Sequence, residues 1–220
     1  MQKDLIAARI RMEKIFSFIR HMVFEEVGSR IRPGSLKNLM DLLFMVFEEI
    51  GYHFEILSST YIEMYYEMVI SEIKMADISP QDRVLVIGCG SIPSTSIIIA
   101  LETDARIVAL DNDPRAVARA NRYVKKHGLD GKIMVQYGDG SGYPVEDFDV
   151  IFVSYGVKQQ LRLLKYLSEN IDRDTRIVFR IPEDDVIKED FLSKLFLVKN
   201  VVKTRVFGPL CSCLMVKKED

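Results

Sequence analysis

The chain has 220 residues, 48% of them apolar, 28% charged and 10% aromatic, with a formal net charge of -2. That length suits one full domain with an appendage or a single larger domain, and the apolar share supports a real core and excludes a disordered chain. Residues 1–78 hold 9 basic and 12 acidic side chains and residues 79–220 hold 21 and 20, so neither part has the basic surface of a double-stranded DNA binder.

No run approaches the roughly 18 uninterrupted apolar residues of a membrane helix. Leu42-Leu43-Phe44-Met45-Val46-Phe47 is too short and runs into Glu48-Glu49. The opening Met1-Gln2-Lys3-Asp4 lacks the apolar centre of a signal peptide. Three cysteines make no disulfide framework, so the expected setting is soluble, reducing and cytoplasmic.

Residues 1–78 read as a helical N-terminal segment. Leu5, Ile6, Ile10, Met12, Ile15, Phe16 and Ile19 recur at helical spacings. Ile31-Arg32-Pro33-Gly34-Ser35 breaks that helix, and Ser35 suits the cap of a second one running from Leu36 to Ile50. A third covers about Ser59 to Met75. After the turn at Ser79-Pro80-Gln81-Asp82, residues 79–220 alternate strand and helix. Strands are expected at Val84–Ile87, Arg106–Leu110, Lys132–Tyr137, Phe148–Val153, Thr175–Ile181, Phe196–Val202 and Leu210–Val216. Helices are expected at Ser94–Leu101, Pro114–His127, Gln159–Asn170 and Val186–Lys194. Pro114 suits a first helical turn and Gly128 a helix end. Apolar strand runs alternating with amphipathic helices indicate parallel strands covered on both faces. The fold class is therefore α/β, a Rossmann-like doubly wound sheet of seven strands behind a helical segment.

In such a sheet ligands bind outside the carboxyl ends of the strands, where strand order reverses. The first strand ends in Gly88-Cys89-Gly90-Ser91-Ile92-Pro93-Ser94-Thr95-Ser96. Glycines allow a tight turn and a close ligand, and the N–H groups of the following helix favour a carboxylate or phosphate. Pro93 stands where a third glycine would complete a dinucleotide fingerprint, so a smaller ligand fits better. The alternative is a plain tight turn. The second strand ends in Asp111, about 20 residues after the glycines, where a carboxylate can accept both hydroxyls of a ribose. The alternative for Asp111 is a solvated turn before Pro114. Asp139, in Gly138-Asp139-Gly140, can accept from an exocyclic amine or simply form its turn. The fourth strand ends in Val153-Ser154-Tyr155-Gly156 and borders the same crevice.

These residues resemble the class I S-adenosylmethionine-dependent methyltransferases over about 79–220. The resemblance implies a seven-stranded sheet with a reversed last strand. It implies that the amino-acid part of the cofactor lies at Gly88, Cys89 and Gly90, its ribose at Asp111 and its adenine at Asp139. Ser91, Asn112, Gly140 and Ser154 are the neighbours expected to complete that contact. Gly88–Ile97 is also similar to the glycine-loop segment of nicotianamine synthases, and the strands at Phe148–Phe152 and Asp174–Arg180 resemble that family's archaeal members. Those enzymes use the same cofactor but transfer its aminocarboxypropyl group. Ser91 and Ser94 stand where that family has Pro and Leu, and Pro182-Glu183-Asp184-Asp185 does not match its Arg-containing segment.

Acceptor-side chemistry is expected on the third helix. Tyr61 and Tyr65 are four apart, and Glu72 lies on nearly the same face. Tyrosine hydroxyls and a carboxylate can orient or deprotonate an amine, and tyrosine faces suit a sulfonium. The alternative is an amphipathic helix whose tyrosines pack on the sheet while Glu63, Glu67 and Glu72 face solvent. Tyr155 and Tyr143 carry the same two readings. His21, His53 and His127 have no metal-ligand spacing, and Cys211 and Cys213 lack partners for zinc, so no metal is expected.

Three functions follow. The first is a methyltransferase with a small-molecule acceptor, an amine or amino acid. The second is aminocarboxypropyl transfer to such an acceptor. The third is a non-catalytic subunit whose N-terminus docks a partner through Phe44, Met45 and Phe47. A helical segment rich in Leu, Met and Phe also suits a homodimer.

Overall fold

The computed structural model describes residues 55–183, 186–204 and 210–218, and their side chains except at 55–61, 64 and 186–190. The expected helices at Leu5–Ile19 and Leu36–Ile50, the Phe44-Met45-Phe47 surface, His21 and His53 lie outside the described residues. The chain divides into two compact units, Met1–Met64 and Tyr65–Asp220. The expected division at 78 falls in the turn after a helix; this one falls inside that helix.

In chain order the elements are α1 (Glu55–Ala76), β1 (Arg83–Ile87), α2 (Ser94–Glu102), β2 (Arg106–Asp111), α3 (Pro114–Lys126) and β3 (Ile133–Tyr137). There follow β4 (Val150–Val153), α4 (Gln160–Asn170), β5 (Arg176–Pro182), α5 (Val186–Leu195), β6 (Phe196–Thr204) and β7 (Leu210–Lys217). The seven strands form one sheet in the order β3-β2-β1-β4-β5-β7-β6. β1 pairs in parallel with β2 on one side and β4 on the other, so the strand order reverses between β1 and β4. β7 runs antiparallel to both β5 and β6, the reversed strand the resemblance implies.

Successive side chains of a strand point to opposite faces. One set, Leu85, Ile87, Ile151, Val153, Ile177 and Phe179, packs with Leu163, Leu164 and Leu167 of α4 and Leu192 of α5. The alternate set, Val84, Val86, Val150, Phe152 and Val178, is equally buried. α2 covers its part of the sheet with Ser94–Ala100, every one of them buried. A helix that is apolar nearly all round belongs inside a protein, and here Ile97, Ile98 and Ile99 supply that character. α3 is the opposite case. It buries only Ala116, Ala120 and Val124, and Asp113 caps it by accepting from Arg115 N at 2.8 Å, with Pro114 in its first turn.

The far end of α1 is held by a strand. Arg176 Nη1 donates to Ala76 O at 2.6 Å and Asp77 O at 2.7 Å, and its Nη2 pairs with Asp82 at 2.7 Å. Carbonyls at a helix end lack intrahelical partners, and this guanidinium supplies them. Asp77 adopts a left-handed φ of 48° to end the helix there. Phe148 and Asp149, expected in the fourth strand, precede it; Asp149 Oδ2 accepts from Arg83 N at 2.7 Å and anchors the start of β1.

Gly140 sits against this core. A Cβ there would lie 2.7 Å from Ile87 Cγ2 and 3.3 Å from Leu163 Cδ1. Ile87 is β-branched and has little rotamer freedom to yield. Gly140→Ala is therefore expected to destabilise the protein by about 1–3 kcal/mol, read as a lower urea midpoint at unchanged slope.

Candidate cofactor site at the switch point

The reversal between β1 and β4 puts the glycine turn at the predicted place. Gly88 and Gly90 have φ values of 80° and 70°, conformations that residues with a Cβ rarely adopt. Gly88 N and Cys89 N both donate to Leu110 O, at 2.8 and 3.0 Å, so the turn folds over the end of β2. A Cβ at Gly88 would lie 2.6 Å from Val157 Cγ2, so the loop after β4 closes on the turn from the other side.

Asp111 binds this turn directly. Its Oδ2 accepts from Gly90 N at 2.8 Å, and its Oδ1 accepts from Asp113 N at 3.0 Å. The carboxylate is half-buried, and each of its oxygens keeps a further lone-pair direction. Asp111 thus faces the glycine turn, as a ribose-binding acid must. Asn112 beside it is exposed, whereas Cys89 and Ser91 are buried. Ser154, half-buried, continues the β1–β4 pairing by donating its N–H to Ile87 O at 3.1 Å.

Asp139 is exposed, and its Oδ1 accepts from Ser141 N at 2.9 Å. One carboxylate oxygen therefore forms the local turn, and the turn brings Gly140 onto Ile87. Tyr155 is buried, and its carbonyl accepts from Gln160 Nε2 at 3.0 Å. Gln160, just inside α4, keeps Oε1 buried and unpartnered. Gln159 before it has a left-handed φ of 53°. Tyr143 donates to Gln136 Oε1 at 2.6 Å, and burial pushes its hydroxyl above the ordinary phenol value, so it stays protonated.

On α1 the outcome differs from both expectations. Glu63 and Glu67 are exposed, but Glu72 faces neither solvent nor an acceptor surface. It is fully buried (0% exposed) in a bidentate pair with Arg180, which is 4% exposed. Arg180 Nε donates to Oε1 at 2.7 Å and Nη2 to Oε2 at 2.6 Å, while Ser212 Oγ donates to Oε1 at 2.5 Å. Both oxygens of this carboxylate are thus engaged, and removing it would strand a buried guanidinium. Tyr65 is half-buried, and the Tyr61 side chain lies outside the described residues. Tyr66 donates to Glu102 Oε1 at 2.9 Å; that bond raises its phenol above the ordinary value. Among the described residues no cluster of potential metal ligands occurs.

Arg180, Thr95 and Ser212 also escaped the sequence reading. The available signal was an arginine inside Ile177-Val178-Phe179-Arg180-Ile181, since a charge in a buried strand requires a buried partner.

A profile of the protein-L-isoaspartate(D-aspartate) O-methyltransferase family matches residues 46–170. The chain belongs to that family. No curated protein matches the sequence. Among solved structures, a glutamate-to-glutamine variant of MtNAS, a nicotianamine synthase, in complex with S-adenosylmethionine is 22% identical. It has a TM-score of 0.72 over 84% of this chain and 77% of its own. MtNAS in complex with MTA and tNA is 18% identical, with a TM-score of 0.71 over 99% of this chain and 98% of its own. A sarcosine dimethylglycine methyltransferase, described as putative, from Galdieria sulphuraria is 14% identical, with a TM-score of 0.56 over 69% and 84%. The fold is that of the class I methyltransferases, whose cofactor is S-adenosylmethionine.

The residues present fit that cofactor. α2 has no acidic residue in its first turn, so no side-chain charge there opposes a carboxylate. The same turn carries Ser96 Oγ, fully buried without a hydrogen-bond partner. Asp111 retains acceptor capacity for ribose hydroxyls. Asp111→Ala removes the acceptor for Gly90 N together with the lone pairs that would take ribose hydroxyls. A hydrogen bond to a charged group is worth about 1.5–3 kcal/mol, so cofactor affinity is expected to fall about 10- to 100-fold by calorimetric titration.

Proposed function

We propose that the protein is an S-adenosylmethionine-dependent methyltransferase acting on a small molecule, an amine or amino acid. The observation that carries the reading is the contact between Asp111 Oδ2 and Gly90 N, which brings the ribose acid and the glycine turn to one place at the switch point. The family match to an O-methyltransferase profile supports methyl as the group transferred. The near-neutral charge supports a small acceptor over a nucleic acid.

When bound, the cofactor supplies a sulfonium already activated toward nucleophiles. The chain's part is to hold donor and acceptor in line and to exclude water. Gly88 and Gly90 let the backbone approach the amino-acid part, and Asp111 orients the ribose. Ser154 and Asp139 border the same strand ends and are the neighbours we assign to the remaining contacts. A base is required only for an acceptor that arrives protonated. Tyr65 is the residue of α1 that we assign to the acceptor, with Tyr155 at the end of β4.

A second reading has its own support. The MtNAS structures align over nearly the whole of this chain and of their own. The sarcosine dimethylglycine methyltransferase aligns over 69% of it. That extent favours aminocarboxypropyl transfer as the alternative.

Products separate the two. Incubation with S-adenosylmethionine and a panel of amines, amino acids and an isoaspartyl peptide, followed by mass spectrometry, is expected to yield S-adenosylhomocysteine and a methylated small acceptor. Methylthioadenosine as byproduct would establish the second reading instead, and methylation of the peptide alone would overturn the small-molecule assignment. Neither heat nor thermal shift at millimolar cofactor would overturn both enzyme readings.

A further inference from the structure

α2 begins at the glycine turn but has no cap of its own. Its N-cap position is Pro93, which makes no side-chain hydrogen bond, and its first turn holds no acidic residue. The side-chain contact made to that turn comes from across the sheet. Arg180 Nη1, on β5, donates to Thr95 Oγ1 at 3.0 Å. Arg180 Nε and Nη2 donate to Glu72 of α1, and Ser212 of β7, directly paired with Arg180 in the ladder, donates to the same carboxylate. Four elements thus meet at one buried point, and it is the guanidinium that reaches α2.

This is a costly device for stability alone. Apolar residues in place of a buried ion pair are often as stable or more so. Arginine gives what they cannot: a rigid planar fork whose donors hold three directions at once. We propose that Arg180 is a positioning residue for the cofactor turn, holding the first turn of α2 through Thr95, with Glu72 as its counter-ion. The proposal rests on the cofactor reading above. It assigns Arg180 and Thr95 to the amino-acid end of that cofactor, which lies at the glycine turn, and not to its nucleoside end.

Two ligands test this, because methylthioadenosine lacks the amino-acid part that S-adenosylhomocysteine carries. In calorimetric titrations of the full chain, Thr95→Val is expected to weaken S-adenosylhomocysteine about tenfold, as loss of one hydrogen bond in a positioned turn would, and to leave methylthioadenosine unchanged. Thr95→Ser keeps the hydroxyl and should keep the affinity ratio of the original chain. Ser212→Ala, which breaks the network away from α2, should lower the urea midpoint and leave the ratio alone. The double variant Glu72→Leu/Arg180→Met preserves packing without the charges, and should fold yet lose the same selectivity as Thr95→Val. Equal weakening of both ligands by Thr95→Val, or an unaltered ratio in the double variant, would overturn the proposal while leaving the cofactor reading intact. Failure of the original chain to bind either ligand would overturn both.

Discussion

A carboxylate at the end of one strand accepting a backbone N–H from the turn after its neighbour is a small interaction with large consequences here. Asp111 and Gly90 are 21 residues apart, and their hydrogen bond of 2.8 Å joins β2 to the turn that opens α2. Gly90 can offer that N–H because its φ of 70° turns the peptide toward Asp111. Leu110 O accepts from Gly88 and Cys89 one residue earlier, so the whole turn is strapped to β2. The acid is held by its partners and still presents lone pairs outward. Under the proposed function, the ribose meets a group whose orientation is set before binding, which lowers the ordering cost of association.

The strap works because the sheet beneath it is rigid. Both faces of β1, β4 and β5 are buried, and interiors at close-packed density transmit displacement instead of absorbing it. Gly140 shows how little slack remains, since one added carbon would meet Ile87 at 2.7 Å. Arg176 and Arg180 lie four residues apart on β5, on the same side of the strand by its period of two. The first holds the last residue of α1 and the second holds the preceding turn through Glu72. β5 therefore fixes α1 at two points about one helical turn apart, an economy of parts available only to a strand that α1 overlies.

The strand–helix alternation and the two-sided burial were legible because runs such as Val84-Leu85-Val86-Ile87 and Ile177-Val178-Phe179 leave few alternatives, whereas the reversed seventh strand came only from the family resemblance. The glycine turn and Asp111 were legible for a different reason. The topology rule says where a ligand goes, and the residues there are of the required types. The fate of Glu72 was not legible. Helical periodicity places it on a face with Tyr65 but says nothing of what lies opposite, and its partner is 108 residues away on β5. Asp139 was ambiguous for the same reason that the structure gives it a local bond: a short acid between glycines serves its own turn at almost no cost.

Commitment of Glu72 to Arg180 constrains the chemistry on the acceptor side. An amine acceptor must be neutral to attack, and a carboxylate or thiolate arrives already prepared. Glu72 is fully buried with both oxygens bound to Arg180 and Ser212, so it presents no surface to an acceptor. Under either enzyme reading the proton of an amine acceptor therefore leaves by another route, to solvent before binding or to a group less deeply held than Glu72. The two transfers do not differ in this demand, nor in what they ask of Gly88, Gly90 and Asp111, which under the proposed function address the amino-acid part and the ribose and not the carbon under attack.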